Sequence, residues 1–371
     1  MLSKLKLYTK NLIGWSTKRK LLVIAVDDYG NVRLASKTAR QYLDSKGLKL
    51  NNRFDAYDTL ETTEDLEMLF SVLRSVKDKN GKHAVFSPLS MACNLNFEAV
   101  RANGVTEVVL ETVLDTYNRI KVSEGNTELI RQGIKEGIYA PEYHGREHFN
   151  MNHFKHMLNE RNPELLANIE VDSLTSISSR PFSEINFTGA YKFQKFSENE
   201  SLKEILKDGL EKFEQVYGYK ARLFNAPGGN EHKTLHQALS ESGIEFIETK
   251  LLKKEHQGDG KYKTLFQFNG QAGPYNQTLM VRNCVFEPGE KASFNWVDSA
   301  MEQVDAAFTL NKPAYISSHR VNFCGLIDEE NRKKGLHDLK SLLTKVVKKY
   351  PDVEFVSVLE LGDIIKKSKA N

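Results

Sequence analysis

Cysteine is scarce in this chain, and what there is forms no pattern. Cys93, Cys284 and Cys324 are the three among 371 residues, and none lies in a CxxC pair. That excludes a disulfide framework and a zinc–thiolate site, leaving buried or free thiols. An excess of one charge is also missing. The 52 basic and 49 acidic residues give a formal net charge of +3, too little for the basic footprint of a nucleic-acid binder. Long hydrophobic runs are missing too. The longest near the start is Leu21–Val26, far short of the roughly 20 residues that span a bilayer and short of a signal-peptide core. The expectation is a cytoplasmic protein with no transmembrane segment and no nucleic-acid partner. Repeats at solenoid or propeller spacing and low-complexity tracts are absent as well, which argues against arrays and disorder.

What is present is an ordinary globular composition, 40% hydrophobic and 10% aromatic. Apolar runs of the kind buried in parallel sheets alternate with helical patterns. LLVIAV at Leu21–Val26 is the first run, with a helix expected from Val32 to Leu43. Thr62–Lys77 reads as a helix with Thr62 as its cap and acids in its first turn. Further strands are expected at His83–Leu89, Ala221–Phe224, Glu245–Glu248, Ala314–Ser318 and Val353–Val356, and helices at Glu200–Tyr217, Phe294–Leu310 and Glu329–Tyr350. Alternation of this kind argues for a parallel α/β sheet or barrel. No Pro/Gly/Ser linker divides the chain, so residues 20–371 are expected to form one domain with insertions at about 97–140 and 152–199. Residues 1–19 stand apart as a basic segment, with Lys4, Lys6, Lys10, Lys18 and Arg19, no acid, and Leu5, Leu12, Ile13 and Trp15 interleaved. Such a segment is more often a solvated face than a helix for peripheral membrane contact.

In parallel α/β folds, functional groups gather where strands end. Three places fit. Asp27-Asp28 follows the first apolar run directly; adjacent carboxylates repel, and a cation relieves the repulsion, although Asp28 as a helix cap is an equal reading. His144 and His148 are four apart, a spacing that sets both imidazoles on one face of a helical turn, where they can share a divalent ion. The HExxH motif is not matched, and His153 and His156 are alternative ligands. His319 leaves the apolar strand AYISS; a histidine there is more often a satisfied core residue.

Together and in order, these residues resemble the polysaccharide deacetylase family, carbohydrate esterase family four. Val26-Asp27-Asp28-Tyr29-Gly30 is similar to its first motif, with one residue inserted before the glycine. His144–His148 matches the second motif, Asn225-Ala226-Pro227-Gly228-Gly229 stands where the third falls, and Ser317-Ser318-His319 where the last does. The opening Asp-Asp-Tyr-Gly resembles the YdjC-like carbohydrate deacetylases more closely still. The resemblance implies a distorted (β/α)7-type barrel with long insertions. It further implies one divalent ion, zinc foremost, on Asp28, His144 and His148, with Asp27 as general base and His319 as general acid. The backbone N–H of Gly228 would be the oxyanion donor, and Asn225 could add its amide. Tyr29, Tyr143 and Trp296 could stack on sugar rings, though each is as readily core. The implied reaction is metal-assisted removal of an acetyl group from an N-acetylated sugar or glycan precursor. The alternatives are hydrolysis of a non-sugar amide, or a degenerate member that binds sugar or metal without turnover. Two motif residues are missing. Asn225 replaces the third motif's arginine, for which Arg222, Arg146 or Arg320 could substitute. The fourth motif has only Phe294–Asp298 as a candidate.

Overall fold

The computed structural model describes residues 7–175, 177, 185–290 and 293–370. A single parallel sheet organises the chain. Its strands are β1 (Lys20–Tyr29), β2 (Ser87–Met91), β3 (Glu142–Gly145), β4 (Leu223–Asn225), β5 (Phe246–Thr249), β6 (Thr278–Val281), β7 (Cys284–Val285), β8 (Ala314–His319) and β9 (Val353–Phe355). They lie in the order β6-β5-β4-β3-β2-β1-β8-β7, with β9 pairing the start of β1. Edge strands β6 and β7 are separated in the chain only by Arg282 and Asn283. The sheet therefore curls until its two edges meet in one run of backbone, whose first half pairs with β5 and whose second half pairs with β8. Counting that split run once, and β9 apart, gives the distorted (β/α)7 barrel.

Side chains alternate along each strand, and this period sorts the core into two layers. Leu21, Val23 and Ala25 of β1 point inward with Leu89, Leu223, Phe246, Met280 and Tyr315. Leu22, Ile24 and Val26 point outward against the helices. Each fully buried side chain of this kind is worth about 1.5–3 kcal/mol. The outer layer includes α1 (Thr63–Arg74), α2 (Asn199–Tyr217), α3 (Trp296–Thr309) and α4 (Glu329–Lys349). Helix α5 (Val358–Ala370) does something else: its Val358, Leu361 and Ile365 join the inner layer and, with Trp15, plug the end where the strands begin.

Local chemistry explains where elements start. Thr62 and Asp65 form a capping box on α1, worth about 1 kcal/mol. The helix expected from Val32 begins instead at Lys37, because Ser36 accepts the Ala39 N–H as its cap while the amides of Val32 and Leu34 go to Asn94 and Asp58. Likewise the second strand starts at Ser87 rather than His83, since Lys77 and His83 pair antiparallel across the preceding turn. Residues 97–140 hold short helices and the strand Leu110–Thr112, which pairs antiparallel with Cys93–Leu95 just before them, and the described residues of 152–199 include further short helices.

In the N-terminal segment, Lys4, Leu5 and Lys6 lie outside the described residues. From Lys10 on, the chain is pinned to the barrel: Lys10 donates to Gln303, the Trp15 indole to Ser368, and Arg19 pairs with Glu354. Leu12 and Ile13 stay 65% and 49% exposed. No helix among the described residues is long and apolar enough to cross a membrane. The cysteines are free and buried.

Candidate active site

On five of the strands the inward-facing residue at the top turns from apolar to polar. Ala25 is followed two positions on by Asp27, Leu223 by Asn225, Phe246 by Glu248, Met280 by Arg282, and Tyr315 by Ser317 and His319. These side chains meet above the apolar interior and line the cavities there. Asp28 would point outward by the same period, but β1 bulges. Between Val26 and Tyr29 it advances three residues while β2 advances two, from Pro88 to Ser90. Asp28 occupies the bulge at φ +79°, a left-handed conformation costing about 1–2 kcal/mol in a non-glycine residue. The bulge brings both carboxylates to the site and sends Tyr29 the other way.

Asp28, His144 and His148 come together, their ligand atoms all within 4.8 Å of one another. Asp28 Oδ1 lies 2.9 Å from His148 Nε2 and 3.5 Å from His144 Nε2. His144 does not sit on a helical turn, as its spacing suggested. It ends strand β3, and the chain bends after Gly145 to return His148 beside it. His144 Nδ1 is 2.7 Å from the Asn225 carbonyl oxygen. A carbonyl only accepts, so Nδ1 carries the proton and Nε2 presents its lone pair to the Asp28 carboxylate. Two lone-pair-bearing atoms facing each other call for a cation, and a histidine anchored through its other nitrogen is how proteins hold one. The donor set of two imidazoles and one carboxylate fits zinc or a similar divalent ion. Even without an ion, burial, which raises the Asp28 pKa, is outweighed by the contacts with His144 and His148 and the charges of His148 and His319, which hold the carboxyl well below the usual range. His153 and His156 are not in this group; His153 is buried against the Phe187 ring.

Asp27 faces Arg282. The guanidinium donates to both Asp27 oxygens, at 2.5 and 3.1 Å, and to Ser317 Oγ at 2.9 Å. It also pairs with Glu248, which accepts from Asn225 and Tyr315. Burial raises the Asp27 pKa, but Arg282, His144 and His319 outweigh it and hold the group low. Glu248 is buried more deeply and shares the same cation with Asp27, so its pKa is raised. One arginine thus separates two carboxyl groups into an ionised one at the cavity and a reluctant one behind it.

On the other side, His319 Nδ1 lies 2.6 Å from Glu287 and Nε2 is 3.8 Å from Asp27. Burial pulls this histidine down, yet the Glu287 hydrogen bond and the charges of Glu287, Asp27 and Asp28 push it up to about 9. Glu287 is lowered in turn. Two cavities meet here. One of about 300 Å³ lies over the Asp28–His144–His148 group, and one of about 320 Å³ lies beyond it; Asp27, Gly228 and His319 line both.

No family model matches the chain, and no curated protein matches it. Solved structures of similar fold include one named a glycoside hydrolase/deacetylase from Parabacteroides distasonis, at 10% identity and a TM-score of 0.50, covering 95% of this chain and 72% of its own. The shared feature is the fold, a distorted (β/α)7 barrel. Other similar structures are a protein named a polysaccharide deacetylase from Pseudomonas aeruginosa PAO1, at 10% identity, TM-score 0.46 and coverage of 93% and 91%, and Puue allantoinase, at 11%, 0.47, 94% and 91%.

Within this barrel several expectations need correction. Tyr29 is no sugar platform: it is 2% exposed and packs edge-on against Phe86 and Tyr139, because the bulge reverses its side. Tyr143 is wholly buried with Phe213 and Phe224. Trp296 packs beside Phe294 at the start of α3 and lines neither cavity. The Asn225 side-chain amide donates one of its two N–H groups to Glu248, while its backbone carbonyl accepts from His144. None of the three arginines considered reaches Asp27. Arg222 pairs with Glu245 and Asp363, Arg146 with Glu147 and Asp208, and the buried Arg320 with Asp58 and Glu61. Arg282 reaches it instead, from a different strand, and Glu287 is the acid behind His319. Both escaped the sequence reading. Arg282 had a signal, since it ends the apolar run Leu279–Val281 as Asp27 ends the first; Glu287 lies in a loop and had none.

Proposed function

We propose that this protein is a metal-dependent hydrolase of the polysaccharide deacetylase type that removes an acetyl group from an N-acetylated sugar or small glycan precursor. One observation carries the reading: the Asp28–His144–His148 group lines one cavity together with an arginine-held carboxylate, Asp27, and a carboxylate-held imidazole, His319. A divalent ion on that group would polarise an amide carbonyl and lower the pKa of water.

The chain's own groups supply the proton transfers. Asp27, ionised by Arg282, takes a proton from the attacking water at its free face. The tetrahedral carbon's oxygen needs a donor besides the ion; Gly228, at φ +75°, lines both cavities and presents its backbone there. His319, kept protonated by Glu287, gives its proton to the departing amine. Base and acid therefore hold opposite protonation states at neutral pH, as the reaction requires.

Acetate release from N-acetylated sugars tests the reading, measured together with metal content by plasma mass spectrometry. Wild type should carry about one divalent ion per chain and release acetate. Asp27→Asn and His319→Ala should keep the metal and lose turnover by about 10²-fold or more. A protein that takes up no metal, or Asp27→Asn with full activity, sinks the proposal.

A further inference from the structure

The ladder between β1 and β8 ends at the site itself. The two strands run side by side until Asp27 faces His319, the last pair of their register. Beyond it β1 bulges through Asp28, and β8 turns into the short helical segment Arg320–Asn322. Where a ladder stops, its backbone N–H groups need other partners, and a left-handed aspartate persists only where its surroundings fix it.

One buried carboxylate meets both chains as they part. Glu61, the residue before the Thr62 cap of α1, is 1% exposed and lines neither cavity. Its oxygens accept the backbone N–H of Gly30, two residues past Asp28, at 3.0 and 3.2 Å. Arg320, the residue after His319, donates to Glu61 at 2.9 Å and to Asp58 at 3.0 Å. Tyr117 adds its hydroxyl to the same carboxylate. Glu61 is itself held from behind, where its backbone carbonyl accepts from Ser123 Oγ and Asn126 Nδ2, each at 2.8 Å. A buried ion pair is weak evidence of stability, because apolar side chains of similar volume commonly serve as well. Apolar side chains cannot, however, accept an amide from one strand end and a guanidinium from another and so set the two in register.

We propose, resting on the metal-dependent reading above, that Glu61 is a positioning residue. Through Gly30 it fixes the bulge that presents Asp28 as a ligand, and Arg320 anchors it to the strand end that carries His319.

Zinc affinity, measured by competition with a fluorescent chelator, reads that position and requires no substrate. Glu61→Gln keeps the volume and one acceptor oxygen but loses the charge that faces Arg320. Its zinc affinity should fall about 10-fold or more, the scale on which groups supporting a metal ligand act. Asp65→Asn is the comparison. Asp65 likewise accepts a backbone N–H and a guanidinium, from Gly325 and Arg332, and neither of these adjoins a residue of the site. Asp65→Asn should lose stability to denaturant, as Glu61→Gln does, yet keep its zinc affinity. A merely structural Glu61 makes the two variants alike. Affinity kept in Glu61→Gln, or lost equally in both, overturns the proposal and leaves the metal-dependent reading standing; wild type that binds no zinc overturns both. If Glu61→Gln does not fold, Arg320→Lys decides. It keeps the buried charge and loses the planar fork that reaches Asp58 and Glu61 together. Zinc affinity about 10-fold weaker supports the proposal, and an unchanged affinity overturns it.

Discussion

Replacing Arg282 by methionine keeps the bulk of the side chain and removes the guanidinium that joins Asp27 to Glu248. The side chains of Arg282 and Asp27 are 11% and 15% exposed, and that of Glu248 2%. Removing one partner of a buried pair costs about 3–5 kcal/mol, because the other is left uncompensated. The rim position and the readiness of Glu248 to take a proton favour the lower figure, about 3 kcal/mol. Denaturant unfolding at pH 7 measures it. A second substitution, Glu248→Gln, removes the stranded charge and should recover at least about 1 kcal/mol.

The pH dependence has a definite sign. Asp27 is depressed in the folded protein, so its pairing stabilises above the unfolded aspartate value of about 3.9 and the contribution disappears as pH falls through the lowered value. The stability gap between wild type and Arg282→Met should therefore narrow in acid. The kinetic consequence runs alongside. A base that needs its ionised form loses activity below its pKa; without Arg282 that pKa rises, and the acid limb of kcat/KM should move up by about one unit or more. Stabilities equal within about 0.5 kcal/mol, or an acid limb that stays put, would refute this account of Arg282.

Substitutions at three further positions separate site from scaffold. Asp28→Asn should fold normally, since asparagine tolerates a left-handed backbone, yet lose bound metal in plasma mass spectrometry; an unchanged metal content removes Asp28 from the ligand set. Glu287→Gln should bring His319 down from about 9 toward an ordinary histidine near 6.5, so the basic limb of kcat/KM moves to lower pH, while Glu287→Asp retains part of the elevation; an unmoved limb means His319 is not the acid or Glu287 does not hold it. Tyr29→Phe should leave KM unchanged, and Tyr29→Ala should cost about 3–5 kcal/mol in unfolding free energy; a raised KM in the phenylalanine variant would return Tyr29 to the substrate.

What could be read in advance, and what could not, follows the reach of each signal. The barrel was legible because its strands are short apolar runs and its outer helices, with their caps and acids, are local facts of sequence. Asp27, Asp28 and His319 were legible for the same reason, as polar residues that end such runs. His144 and His148 were visible as a pair, but spacing alone does not distinguish a helical turn from a strand end that bends back, and the helical reading was the wrong one. Tyr29 went astray on a single residue. The extra position in β1 shows only against the register of β2, and without it Asp28 and Tyr29 are assigned to the wrong faces.

Arg282 marks the boundary between the two cases. Locally it resembles Asp27, a charge at the end of an apolar strand, and the two-residue period that sets Met280 inside the barrel sets Arg282 above it. Its partner, however, is 255 positions away and is met only because the sheet closes. β6 and β7 leave their ladder at Arg282 and Asn283 and take up pairing on the opposite edge. Asn283 bridges the gap: its backbone N–H donates to the Tyr315 carbonyl, and its side chain accepts the Tyr315 N–H and donates to the Pro313 carbonyl. The closing joint therefore fixes β7 on β8 through Asn283 and delivers a cation to Asp27 through Arg282. Asn225 stands where the motif that this stretch resembles carries an arginine, and the seam of the barrel brings a guanidinium to Asp27 instead.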